Sequence, residues 1–144
     1  MEITRRIEFD AGHRVPGHRT PDGIRPGACS SPHGHRYRLE VTVDGTVPAD
    51  GMVLDFGIVK TVLMSTVHAQ LDHAMIVWRE DYALLKAMLD NEEQWKVAVL
   101  DDPPTAENIV ERIAQLIAGP LGEHGVRLTR LRLYETPNAW ADWS

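Results

Sequence analysis

The chain has 144 residues, 43% of them hydrophobic and 25% charged, which fits one globular domain over residues 1–144 and gives no sign of a second. A net charge of −6 argues against a dedicated nucleic-acid binder, and a single cysteine excludes an internal disulfide. No apolar run approaches the roughly 18 residues of a membrane span, and Met1-Glu2-Ile3-Thr4-Arg5-Arg6 is no signal-peptide core, so the expectation is a soluble cytoplasmic protein.

Ile3, Ile7 and Phe9 alternate with Glu2, Thr4, Arg6, Glu8 and Asp10, the period of a half-buried strand with its odd positions inward. Arg14 to Pro32 follows, rich in Pro and Gly and too long for an ordinary hairpin; such connections are usually functional or disordered. Its Arg14, Arg19 and Arg25 suit either a solvated loop or a phosphorylated substrate. Tyr37, Leu39, Val41 and Val43 then alternate with polar residues up to a turn at Gly45, a second strand. Asp55 is placed to cap a helix with the stripe Ile58, Val59, Val62, Leu63 and Val67, ending near Leu71-Asp72-His73. A second helical pattern holds Tyr82, Leu85, Met88 and Leu89, and Val97 to Leu100 is a short strand. Thr105 is a fitting N-cap for Ile109, Val110, Ile113, Leu116 and Ile117, a helix expected to break at Gly119-Pro120. The last strand runs from about Val126 to Glu135, where a carboxylate ends the apolar row of Leu131 and Leu133.

If both early strands extend toward the loop that joins them, His13 falls on the face of Phe9, and His33 and His35 fall on the face of Tyr37. Three imidazoles from neighbouring strands are a common zinc set that keeps a position open for chemistry. Cys29, four residues before His33, is either a fourth ligand of a closed structural zinc or a thiol free to act as a base beside the cation. Core histidines without metal are the plain alternative. Asp72-His73 offers an imidazole with a neighbouring carboxylate, the arrangement of a proton carrier. Glu135, on an otherwise apolar face, needs a partner with donors, either a ligand or an interface cation. Thr105, Glu107 and Asn108 fit an ordinary helix N-terminus. His18, His68 and His124 have no evident partner.

Six ordered segments resemble the 6-pyruvoyl-tetrahydropterin synthase family over nearly the whole chain: Phe9 to His13, Cys29 to His35, Gly51 to Phe56, Leu71 to His73, Pro104 to Asn108 and Tyr134 to Pro137. The three residues between Cys29 and His33 look like the bacterial branch that forms 6-carboxy-tetrahydropterin in the queuosine pathway; pyruvoyl-forming members typically carry a longer gap. The resemblance implies the tunnelling fold: an antiparallel four-stranded sheet with two main helices on one face, oligomerising into a barrel as a homotrimer or homohexamer. It further implies Zn2+ on His13, His33 and His35, with Cys29 as the catalytic thiol. Asp72 and His73 would be acid-base partners reaching the thiol from a neighbouring subunit. Glu135 would anchor the pterin, with Thr105 and Glu107 as further substrate contacts.

The activity so implied is a carbon-carbon lyase converting 7,8-dihydroneopterin triphosphate to 6-carboxy-5,6,7,8-tetrahydropterin, acetaldehyde and triphosphate. The alternatives are a pyruvoyl-type triphosphate lyase, a non-catalytic zinc or pterin-binding module, and a zinc hydrolase. Gly12 and Arg36 depart from the family pattern, and Arg14 to Pro32 and the stretch before Lys96 look longer than in compact members. These departures leave the ligands intact and bear on phosphate recognition and substrate entry.

Overall fold

The computed structural model describes residues 1–144. Strands β1 (Glu2–His13) and β2 (His33–Asp44) pair antiparallel in unbroken register from Glu2 opposite Asp44 to His13 opposite His33. Odd positions therefore meet odd positions on one face. Ile7, Phe9 and Ala11 lie there with Tyr37, Leu39, Val41 and Val43, all buried, and Leu131 and Leu133 of β5 (Arg127–Thr136) continue the layer. A register shift opposite Thr42 and Val43 inserts one residue into β5, so that even-numbered Leu128 also turns inward.

Two helices cover this face. Helix α1 (Phe56–Leu63), capped by Asp55, runs on through a π-helical turn at Met64–His68 and a last turn at Ala69–Leu71. It contributes Val59, Val62, Leu63, Val67 and Leu71 to the core. The longer α3 (Ala106–Gly122) contributes Ile109, Val110, Ile113, Ile117 and Leu121. Each such side chain, fully buried, stabilises the fold by roughly 1.5–3 kcal/mol. The expected break at Gly119-Pro120 does not occur: the helix runs through Pro120 to Gly122, and the fully buried Leu121 keeps that last turn on the core despite the helix bond that Pro120 cannot make.

The sheet also differs from the antiparallel four-stranded one expected. It has six strands in the order β4-β3-β1-β2-β5-β6, and it is mixed. β1, β2, β5 and β6 (Ala139–Trp143) form the antiparallel part, while β3 (Ala74–Trp78) runs parallel to β1 and to β4 (Val97–Leu100). β3 has no polar alternation because both of its faces are covered, with Ile76 and Val77 fully buried, as is usual for parallel strands. The short α2 (Tyr82–Leu89) packs against it. β6 is mostly exposed and is tied down by a two-pronged Arg132–Asp142 ion pair at 2.6 and 2.8 Å. Neither strand carries the pattern that reveals a one-sided strand in a sequence. No helix is long and apolar enough to cross a membrane.

The long connection between β1 and β2 is an ordered finger. Val15 N–H donates to the Cys29 carbonyl at 2.7 Å, Gly27 to His18 at 2.9 Å and Thr20 to Arg25 at 2.9 Å. A Cβ at Gly27 would come within 2.1 Å of the His18 ring, so a larger residue there would displace that side chain.

Candidate metal centre and acid-base dyad

The β1–β2 register sets His13 directly across from His33, with His35 two residues further along the same face. One ligand atom from each of the three imidazoles lies within 4.8 Å of the others. His13 is buried; His33 and His35 are half-buried. Two backbone carbonyls fix the tautomers. His13 Nδ1–H donates to the Pro104 carbonyl at 2.7 Å and His33 Nδ1–H to the Ser31 carbonyl at 2.7 Å, since a carbonyl can only accept. In neutral rings the two Nε2 lone pairs then face each other at 3.1 Å, a repulsion that only a shared proton or a cation relieves.

The remaining electrostatics point the same way. Burial holds the pKa of His13 below the ordinary imidazole value, although the Pro104 carbonyl and Glu135 oppose it, and burial does the same to His35. Both rings therefore favour the neutral form that a metal needs. His35 Nε2 is buried without a hydrogen-bond partner. A carboxylate closes the group, with Glu135 at 3.9 Å from His13 Nε2 and 3.7 Å from His35 Nε2. The donor set fits zinc: three imidazole nitrogens, two of them oriented by carbonyls on their far sides, with an acidic neighbour.

Cys29 is half-buried on a 3-10 turn, Ala28–Ser30, at the base of the finger and lies outside the three-histidine group. Asp72 and His73 also lie outside it, yet they do touch each other: His73 Nδ1–H donates to Asp72 Oδ2 at 2.7 Å. The contact depends on an unusual backbone, His73 sitting at φ +59° while its N–H donates to the Asp10 carbonyl at 2.7 Å. Burial alone would raise the Asp72 pKa. The Asp10 amide, the His73 bond and the nearby His68 and His73 charges outweigh burial and hold that pKa below the usual carboxylate value. His68, without an evident partner in the sequence, stands 3.6 Å from Asp72. The π-helical turn that ends at His68 was its only other signal, and periodicity does not reveal such turns.

The His73 side chain is 78% exposed and borders a cavity of about 630 Å³ floored by Gly12 and Gly34 and walled by Met75, Met88, Trp95 and Lys96. A Cβ on Gly12 would meet the Met75 side chain at 2.9 Å, so Met75 occupies the room a larger residue would need. Arg36 pairs with Asp10 through two hydrogen bonds of 3.0 and 3.1 Å. Thr105 caps α3 by accepting from Asn108 N–H at 3.4 Å, and Glu107 is exposed in the first turn. Because the neighbouring Pro104 carbonyl holds His13, that helix start adjoins the histidine group. Arg14 is committed to Asp81 rather than displayed for a phosphate.

The family model described as 6-pyruvoyl tetrahydropterin synthase matches residues 2–144, and the chain belongs to that family. It is 37% identical over 144 residues to the 6-carboxy-5,6,7,8-tetrahydropterin synthase of Rickettsia bellii, covering 99% of both chains. It is 31% identical to the protein of the same name from Aquifex aeolicus, covering 99% of this chain and 96% of that one. Among solved structures, an uncharacterized protein from Wolinella succinogenes superposes with a TM-score of 0.84 at 22% identity, over 99% of this chain and 97% of that one. The 6-pyruvoyl tetrahydropterin synthase of Caenorhabditis elegans gives a TM-score of 0.63 at 22% identity, over 99% and 94%. At such identities these two share the fold.

Proposed function

We propose that the chain is a zinc-dependent 6-carboxy-5,6,7,8-tetrahydropterin synthase. With one molecule of water consumed, it converts 7,8-dihydroneopterin triphosphate to 6-carboxytetrahydropterin, acetaldehyde and triphosphate in cytoplasmic queuosine biosynthesis. The observation that carries this reading is the convergence of His13, His33 and His35 within 4.8 Å, in a chain alike over its full length to enzymes of that name. The three-residue gap from Cys29 to His33 supports the same branch.

His13, His33 and His35 would hold the metal, which supplies Lewis acidity toward the hydroxyl oxygens of the substrate side chain. Cys29 removes a proton from that side chain as its thiolate. His73, oriented through Nδ1 by Asp72, moves protons between side chain and ring. The ring is reduced as a side-chain carbon is oxidised, so no external redox cofactor enters. Glu135 accepts hydrogen bonds from the amino-pyrimidine edge, and Thr105 and Glu107 contact the substrate from the start of α3.

The exposed His73 and the two open sheet edges, β4 and β6, support a homotrimer or homohexamer in which the dyad serves a neighbouring subunit's thiol. Mass spectrometry of the products formed from 7,8-dihydroneopterin triphosphate tests the reading. The carboxy product with acetaldehyde is expected; a pyruvoyl product without acetaldehyde would move the chain to the sister activity.

A further inference from the structure

We propose that Arg14, through its ion pair with Asp81, is a positioning residue that fixes the Cys29 thiol. This rests on the reading of Cys29 as the base. Arg14 follows His13 at the end of β1, and its guanidinium grips Asp81 with both prongs, Nε to Oδ2 at 2.6 Å and Nη2 to Oδ1 at 2.5 Å. Asp81 is buried at 5% exposure and is itself immobilised. Its amide donates to the Trp78 carbonyl at 2.9 Å, and its Oδ1 caps α2 by accepting from Leu84 N–H at 3.3 Å. Arg14 is thus bolted to the turn that joins β3 to α2.

The next residue passes this anchorage to the thiol. Val15 N–H donates to the Cys29 carbonyl at 2.7 Å, so the backbone of the residue carrying the sulfur is one peptide unit and one hydrogen bond from the backbone of Arg14. On its other side the cysteine turn is held by Ser31, whose carbonyl accepts from His33 Nδ1 at 2.7 Å. Other bonds brace the finger: Thr20 with Arg25 zips its outer part, while His18 N–H to the Val15 carbonyl at 3.2 Å and Gly27 N–H to the His18 carbonyl at 2.9 Å support its base from Val15. The Val15 bond and the His33 contact hold the backbone on the two sides of the cysteine turn, and of these two the Val15 bond lies outside the metal group. Asp81 in turn ties the thiol's position to the β3–α2 corner, beyond the finger itself.

Cys29 is the one cysteine in the chain, so its alkylation by iodoacetamide reports its position without ambiguity. The measurement compares the zinc-loaded wild-type oligomer with Asp81→Asn, Arg14→Lys and the charge-exchanged double variant Arg14→Asp/Asp81→Arg. Asp81→Asn should speed alkylation at least about threefold. It should also lower kcat by on the order of 10²-fold, with KM and zinc stoichiometry near wild type, because a misplaced reacting group costs rate rather than affinity. Arg14→Lys, which keeps the charge and loses the fork, should fall between, and the double variant should recover part of both losses.

Unchanged alkylation and kcat in a folded Asp81→Asn protein would overturn the proposal. So would losses that merely track the unfolded fraction seen by circular dichroism. Faster alkylation with wild-type kcat would leave the Arg14 strut standing and remove Cys29 as the base.

Discussion

The three-histidine group and the turns that carry Cys29 and His73 are built by different means. The histidines sit on two long paired strands, where a period of two residues and an unbroken register place His13, His33 and His35 together as surely as they place Phe9 beside Tyr37. Cys29 and His73 instead sit on turns held by a few contacts: Val15 N–H on the Cys29 carbonyl, and for His73 a backbone at φ +59° with its N–H on the Asp10 carbonyl. A site that is part of a sheet inherits the sheet's stability. A site on turns must be propped, and its props are individually removable.

The largest expected effect therefore falls on the strand-built half. His33→Ala should abolish zinc retention, measured by metal analysis after gel filtration, and acetaldehyde release should fall below detection. The fold itself should persist, because the core beneath consists of Leu39, Val41 and their partners. Zinc retained at wild-type stoichiometry would break the comparison at its strongest point.

Next comes the turn-built half. Cys29→Ala and Asp72→Asn should each lower turnover by on the order of 10²–10⁴-fold while keeping zinc. Co-refolding the two variants should restore a fraction of wild-type activity if thiol and dyad come from different subunits. Failure of complementation between well-assembled variants would place both in one chain. Loss of zinc from Cys29→Ala would turn the thiol into a ligand.

Legibility in the sequence divides along the same line. Periodicity, alternating in the strands and following the helical turn in the helices, exposes the histidine face, both core helices and β5, because one-sided burial writes itself into residue order. It does not expose β3, covered on both faces, or β6, hardly covered at all. Of the dyad, the sequence showed only adjacency. What makes Asp72 and His73 touch is the Asp10 carbonyl and amide, more than sixty residues away. Arg14 looked available to a phosphate for a similar reason: its partner Asp81 lies 67 positions on, and no local pattern links them.

Glu135 tests whether the two halves share a residue. It lies within 3.9 Å of two metal-candidate imidazoles, yet its proposed task is to hold the far edge of the pterin. Glu135→Gln, which keeps shape and removes charge, should leave zinc binding nearly unchanged and raise KM by roughly 10–10²-fold, since a buried recognition site loses a charge-assisted pair. If zinc affinity falls and KM does not, Glu135 belongs to the metal.

The smallest effect is a stability one, and its sign follows from the strut. The hydrogen bonds from Arg14 hold the Asp81 pKa below the usual carboxylate value, with burial opposing. A carboxylate whose folded-state pKa is depressed contributes stability that is fully present above its unfolded pKa of about 3.9 and is lost as pH falls through the folded value. In urea titrations Asp81→Asn should therefore be less stable than wild type at pH 7, by about 3 kcal/mol for a broken buried pair, and the gap should narrow below about pH 4. The finger should feel the change first. Hydrogen exchange at the Val15 amide, which bonds to Cys29, should quicken in the variant while the amides of β2 stay protected. Equal acceleration in both would mean that Arg14 supports the whole fold rather than the thiol's corner of it.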